Sequence, residues 1–460
     1  MGEEPRLPKH NEEEMQENEQ PKKGILSCVS SPVSWFKMLA KELHWSFVFG
    51  VMVVYGISQG LGGSLARVGT EYYMKDVQKV LPSEAQVYSG ITSIPWIIKP
   101  LWGLLTDVVP ILGYHRRSYF VFAGFLGVIA MLSLSLHNEL HIVLALLFLT
   151  AGSASVAIAD VTVDACVAQN SGTHPSLAAD MQSLCALSSS IGSLVGFSIS
   201  GIFVHLIGPQ GVFGLLMIPA GLVLLVGVLV KEPRTSFVEY KQINQNFVNA
   251  SKAVWKTLKL PDVWRPCLYM YVSFSLSLNI SEGMFYWATD SKAGPSFSKI
   301  LSCLAGMLDL VLVRRWNLKF GLPDILFVVI DASVSQLIGR LKWMPLLVLS
   351  AKICPPGIEG TFFALLMSID NAGLLTASWL GGLLLHVFNV TRTEFDKFWM
   401  AILIRNLIRI TPLFLLFLVP RADPNSTIFT DEVLDSNEDP GVQEFDDVEL
   451  VALVKSVDRG

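Results

Sequence analysis

Long apolar runs broken by short polar stretches dominate the chain. In the first half they fall at 46–66, 86–109, 118–137, 141–167, 181–207 and 210–230. Each holds roughly the 20 residues that a helix needs to cross a bilayer. The fifth run contains "SSSIGSLVGFSISG", in which Gly192 and Gly196 form a small-xxx-small pair suited to close helix packing. A polar stretch from Lys231 to Pro266 follows, and further apolar runs stand at 267–288, 323–351, 358–388 and 398–420. Between the first two of these, "ILSCLAGMLDLVLV" (Ile300–Val313) offers fourteen residues, about 21 Å of helix. That is short of the ~30 Å hydrocarbon core.

This pattern predicts an all-α integral membrane protein of two bundles. Residues 1–45 form a polar N-terminus, 46–230 a first six-helix bundle, 231–266 a basic linker, 267–420 an incomplete second bundle and 421–460 an acidic tail. If Ile300–Val313 crosses, the spans number eleven and the tail lies outside; if it only dips in, they number ten and the tail stays inside. Composition agrees: 52% of residues are hydrophobic, 16% are charged, and mean hydropathy is +0.50. A soluble domain of this size is not expected to read that way.

Charge adds orientation. Lys231, Arg234, Lys241, Lys252, Lys256, Lys259 and Arg265 crowd the central linker, and Arg116 and Arg117 occupy a loop of the same parity. The positive-inside rule therefore places both loops, and the N-terminus, in the cytoplasm. The net charge of −5 hides an acidic tail, in which eleven carboxylates face only Arg421, Lys455 and Arg459. The acidic N-terminus shows no plastid transit peptide. The six cysteines are scattered, with neither CxxC nor metal-ligand spacing. No HExxH, GxSxG or phosphate-binding glycine loop is present. Nothing points to an enzyme, a cofactor, a metal or nucleic acid.

Charges inside apolar runs are costly, about 2.5–3.5 kcal/mol each at a helix centre on insertion scales. Lys99 interrupts the second run, and "DVTVDACV" sets Asp160 and Asp164 four apart on one helix face. Asp331, Arg340 and Lys342 lie in "VVIDASVSQLIGRLKW", Asp370 in "SIDNAG", and Arg405 and Arg409 in "ILIRNLIRI". Such groups pair with one another, line a water-filled cavity, or bind substrate or protons. Gly103 and Asp107 end one run, and Gly113, Arg116 and Arg117 precede the next. An aspartate facing an arginine pair across a short loop suits a latch that forms and breaks between two packings.

Gly103, Asp107, Gly113, Arg116 and Arg117 resemble the loop signature of the major facilitator superfamily. "MFYWATDSKAGPSFS", "GMLDLVLVRRWNLKFGLPD", "PPGIEGTFFALLMSIDNAG" and "DVTVDACV" resemble one branch of it, the folate–biopterin transporter family, in its plant-type form. The likeness runs from about residue 44 to 421. It implies a nominally twelve-span secondary transporter of folates or pterins with protons as partner. Carboxylates such as Asp160, Asp164 or Asp331 would accept from the pterin edge, and Lys99, Arg340, Lys342 or Arg405 would pair with a folate's carboxylates.

Two departures stand out. Family members carry a further span and a half between "PSFS" and "GMLDLVLV", which "KILSCLA" bridges here. Ala332 stands where an acidic residue is usual. The alternative expectation is therefore a non-transporting membrane partner or regulator that keeps the fold. Besides small-molecule substrate, protons and lipid, the sequence names no partner and no oligomeric state.

Overall fold

The computed structural model describes residues 25–137, 139–232, 234, 252, 255, 258–290, 359–409 and 411–418. The runs at 300–313 and 323–351, most of the linker and the acidic tail lie outside these residues, as do Asp331, Ala332, Arg340 and Lys342. Among the described residues every extended element is a helix. In chain order they are α1 (Ile25–Glu42), α2 (Trp45–Val77), α3 (Pro82–Thr92), α4 (Ile94–Ile97), α5 (Lys99–Val108), α6 (Arg117–Leu136), α7 (Ile142–Thr173), α8 (Ala178–Leu229), α9 (Pro261–Ser275), α10 (Ser281–Asp290), α11 (Glu359–Val387) and α12 (Phe398–Ile408). A 3-10 stretch, Thr411–Leu418, follows α12.

Four of these helices are long and apolar enough to cross a membrane: α2, α6, the 142–171 part of α7, and α8. α8 is itself two arms, because Gly208 (φ 71°, ψ 168°) leaves helical geometry between 178–207 and 209–229. Val143, Leu147, Leu194 and Leu206 are each at least 60% exposed. An apolar outer surface of this kind is one that lipid covers.

α2 departs most from the sequence expectation. It runs eleven residues past Ala66, carrying Arg67, Glu71 and Lys75 with it. Its Met52–Gly62 stretch is π-helical, with the i→i+5 bonding that widens a helix and re-aims its side chains. α2 lies so close to the first arm of α8 that a Cβ on Gly60 would sit 2.7 Å from Ser189 O, and one on Gly196 2.8 Å from Leu61 O. Gly192 meets the Gly56 carbonyl still more closely. Small residues on both helices make this approach possible.

The second apolar run is not one helix. It is broken into α3, α4 and α5 at Ser93 and Ile98, next to Pro95 and Pro100. Proline cannot donate to the helical ladder, and it clashes with the preceding turn. α11 packs across the break, where Ser368 Oγ donates to Ile97 O and Asn371 Nδ2 donates to Trp96 O at 3.3 Å. Broken backbone survives at membrane depth when neighbouring side chains satisfy it in this way.

The seventh run is interrupted likewise at 276–280, where Leu278 has φ 41°. There Asn279 N donates to Ala377 O at 3.0 Å, and Asn279 Oδ1 accepts from Ser281 N at 3.0 Å, starting α10.

The apolar core is layered. One cluster joins Leu43, Val48, Phe120, Val167 and Val226, at the end where the loop carrying Arg116 and Arg117 lies. A second joins Tyr73, Leu134, Ala145, Phe213 and Phe285 towards the opposite end, and two smaller clusters form around Leu385 and Phe398 and around Met270 and Leu366.

Candidate functional site

The π-helical stretch of α2 faces α7, and three charged groups from neighbouring helices meet its Tyr55 and Gln59 there. Lys99, at the start of α5, pairs with Asp160 and with Asp164 Oδ2, the latter at 3.2 Å. Gln59 Nε2 donates to Asp160 Oδ1 at 2.5 Å, and Tyr55 Oη donates to Asp164. Tyr55 and Gln59 are four residues apart, as Asp160 and Asp164 are, and each meets one carboxylate. Asp160 is buried, while Asp164 is about half exposed. Lys99 Nζ also stands 5.8 Å from the centroid of the Trp96 ring. One ammonium therefore serves two carboxylates and an aromatic face, an arrangement that holds charge in an apolar bundle without leaving it unpaired.

At the nearer end, the loop 109–116 closes through mutual backbone bonds of 3.1 Å between Ile111 and Tyr114. Leu112 (φ 57°) and Gly113 (φ 82°) both take positive φ, which at Gly113 costs no side-chain clash. Arg116 Nη1 donates to Thr106 Oγ1 at 2.9 Å, so it reaches back to the last turn of α5. Arg117 Nε donates to Gly227 O at 3.1 Å and its guanidinium lies over Tyr114. The side chain of Asp107 lies outside the described part of the structure. Gly103 is not crowded: a Cβ there would find only Val161 Cγ1, at an ordinary 3.5 Å.

Glu232, two residues beyond the last apolar run of the first half, accepts from the backbone N–H groups of His115, Arg116 and Arg117 at 2.8–3.1 Å. It caps α6, whose N-terminus favours a carboxylate. The capping residue lies more than a hundred residues from the helix it caps, so no local motif announces it.

A cavity of about 460 Å³ opens between α2, α3, α4, α6, α7, α8 and α10. That is within the ~300–1,000 Å³ typical of small-molecule sites. The charged residues lining it are Arg67, Glu71 and Glu282, with Trp96, Met131 and Phe213 among its apolar walls. Arg67 Nε contacts Glu71 Oε1 at 3.3 Å. None of these three charges was singled out from the sequence, because the usual span length ends the first run at 66. Glu282 is placed by the interruption at 276–280, in the first turn of α10. Trp96 lines the cavity and also meets Lys99, so the ion-pair cluster is one ring away from it.

Beyond the cavity, Lys75 pairs with Asp290 at 2.7 Å across the two halves of the chain, and its ammonium lies over Tyr72 and Phe285. Of the remaining sequence candidates, Asp370 is buried on α11, and neither of its carboxylate oxygens has a hydrogen-bond partner among the described residues. Arg405 is buried and donates to Asn406 Oδ1 at 3.1 and 3.2 Å. Arg409 Nε donates to Ser277 O at 2.9 Å, satisfying a carbonyl freed at the interrupted seventh run. The structure thus gathers Lys99, Asp160 and Asp164 at one point and leaves Asp370, Arg405 and Arg409 at others. Among the described residues no group of three or more His, Cys, Asp or Glu side chains has a metal-binding arrangement.

The profile of the BT1 family matches residues 59–301 and 298–433. "Probable folate-biopterin transporter 2" of Arabidopsis thaliana is 59% identical over 474 residues, covering 94% of this chain and 95% of the relative. "Probable folate-biopterin transporter 5" of the same plant is 52% identical over 476 residues, covering 95% and 96%. "Folate-biopterin transporter" of Synechocystis is 29% identical, covering 88% and 87%. Because 94% of 460 residues is about 430, some 40 of the 474 aligned positions have no counterpart in this chain. The two profile matches meet at 298–301, within the junction "SKILSCLA".

Among solved structures, a POT family transporter in complex with a thioalcohol-conjugated peptide superposes with TM-score 0.57 at 13% identity, covering 82% of this chain and 96% of the other. A D-xylose–proton symporter gives TM-score 0.53 at 14% identity, covering 82% and 96%. At such identity the likeness is one of fold, the major facilitator-type transporter fold.

Proposed function

The chain belongs to the BT1 family, and on that premise we propose that it carries folates or pterins across a membrane as a proton-coupled secondary transporter. The observation that carries the reading is the cavity bounded by helices from both halves of the chain, with carboxylates and a guanidinium on its wall. In two-bundle transporters the substrate site lies between the repeats near mid-membrane. A pterin presents ring N–H and amino donors to a carboxylate and a flat face to Trp96 or Phe213. A folate adds carboxylates that Arg67 can pair.

In this reading Asp160, Asp164 and Lys99 form the proton-coupling group beside that cavity. Protonating either carboxylate frees Lys99 from one of its partners, and Trp96 conveys the change to the cavity wall. Arg116, Arg117 and Asp107 form the latch of the first bundle on the cytoplasmic side, with the N-terminus and the 231–266 linker inside. The 46–230 and 267–420 segments are the two bundles that rock about the cavity, and no catalytic step is involved.

The roughly 40 aligned positions without a counterpart in this chain favour a second reading, a membrane partner or regulator that keeps the fold without transporting. Uptake of radiolabelled folate and biopterin into vesicles holding the purified chain separates the two. The transport reading expects accumulation driven by an imposed proton gradient and abolished by a protonophore. With Asp160→Asn, exchange of internal for external substrate continues, but gradient-driven accumulation stops. No uptake by this chain, with uptake restored by inserting the relative's missing segment, identifies a transporter disabled by its deletion. No uptake by either supports the regulator.

A further inference from the structure

Resting on the transport reading, we infer that Glu282 is the group that recognises the amino-pyrimidinone edge of a pterin and distinguishes it from a 2-oxo ring. Three observations converge on this side chain. It lines the cavity, and it is 7% exposed. Its Oε2 has no hydrogen-bond partner among the described residues. Its backbone N–H is already committed to Gln86 Oε1 at 3.1 Å, which fixes the start of α10 and the direction in which the side chain leaves it.

The charge count points the same way. Two carboxylates, Glu71 and Glu282, share one guanidinium, Arg67, on the cavity wall. Arg67 contacts Glu71 at 3.3 Å, and Glu282 Oε2 is left without a hydrogen-bond partner among the described residues. A buried acceptor without a donor costs about 1–3 kcal/mol, more when charged. The N-terminus of α10 offsets part of that cost, since Glu282 lies in its first turn. The remainder falls to whatever enters the cavity. A ligand with two adjacent N–H donors on a flat ring meets the requirement: the 2-amino group and the ring N3–H of a pterin present such a pair to a carboxylate. Met131 and Phe213 supply apolar wall for the ring.

This assignment makes a specificity prediction that a structural role for Glu282 does not. A 2-oxo ring, lumazine, keeps N3–H but replaces the amino donor by an acceptor, which a carboxylate repels. The amide of Glu282→Gln offers one acceptor and one donor, the complement of the N3–H and C4=O edge that both rings share. The test is tryptophan-fluorescence titration of the full-length chain in nanodiscs with biopterin and with lumazine.

Wild type is expected to bind biopterin at least about tenfold more tightly, as sites built to hydrogen-bond a donor discriminate against analogues lacking it. E282Q is expected to lose the preference and bind the two rings about equally. E282D, which keeps the carboxylate, is expected to keep the wild-type order at lower affinity.

Equal binding of the two rings by wild type overturns the assignment without any variant. So does an E282Q chain that keeps the wild-type order, including one that loses only the proton dependence of uptake. If wild type binds neither ring, the transport reading itself fails.

Discussion

Removing Lys99 should damage the protein more than removing the carboxylate it neutralises. The side chain of Lys99 is 17% exposed and that of Asp160 6%, whereas Asp164 is 46% exposed. The Asp164 arm is a half-solvated pair and contributes about 0–1 kcal/mol. The Asp160 arm is buried, and deleting one member of a buried pair costs about 3–5 kcal/mol because the other is left charged and unpaired. Gln59 stays at 2.5 Å and, as a neutral donor, offsets about 1 kcal/mol of that loss. Lys99→Met is thus expected to lose about 3 kcal/mol. Asp160→Asn leaves Lys99 its contact with Asp164 and is expected to lose about 1–2 kcal/mol. The double variant removes both charges and should fall within about 1 kcal/mol of wild type.

The assay is unfolding in mixed detergent micelles at increasing SDS, followed by tryptophan fluorescence, on all four proteins. The cycle should return a coupling of at least about 2 kcal/mol. Additive single losses, or a K99M chain within 1 kcal/mol of wild type, would falsify the picture of a buried, mutually dependent pair.

Other expectations follow from single features. Glu232→Ala removes the acceptor shared by three backbone N–H groups at the start of α6; a loss of about 1–2 kcal/mol is expected in the same assay. Gly192→Val should abolish folded yield on size-exclusion chromatography, because its Cβ meets the Gly56 carbonyl. Gly103→Ala, with only Val161 at 3.5 Å, should fold normally and gain up to about 1 kcal/mol from helix propensity. Normal folded yield from G192V would show that α2 and α8 are not packed as described.

What could be read from the sequence divides by distance along the chain. Asp160 and Asp164 share a face because they are four apart on one helix, and hydropathy alone marks α6 and α8 as membrane-length. The break at Gly208 falls where the apolar pattern lapses between 207 and 210. The second apolar run reads as continuous although Pro95 and Pro100 signal the breaks that the structure shows. Hydropathy averages over proline, and the carbonyls freed there are satisfied by Ser368 and Asn371, some 270 residues away. Arg67, Glu71 and Glu282 escaped notice for a related reason. α2 continues past the length of an ordinary span, and α10 begins at an interruption fixed by Asn279 against Ala377. Partners supplied across the fold leave no local pattern, and the cavity is built almost wholly from such partners.

The eleven-residue π-helical stretch also gives α2 a mechanical property. Tyr55 and Gln59 lie within it, whereas Arg67 and Glu71 stand beyond it on ordinary α-helix. Exchanging i→i+5 for i→i+4 bonding would drop one residue from each hydrogen-bonded ring and rotate the two ends of the stretch relative to one another. Tyr55 and Gln59 would then swing away from Asp164 and Asp160 in a single step, while the cavity wall above kept its own register. A continuous helix containing such a stretch acts as a torsional joint: its two ends can change angular phase without separating, and the carboxylates of α7 set the phase in which it rests.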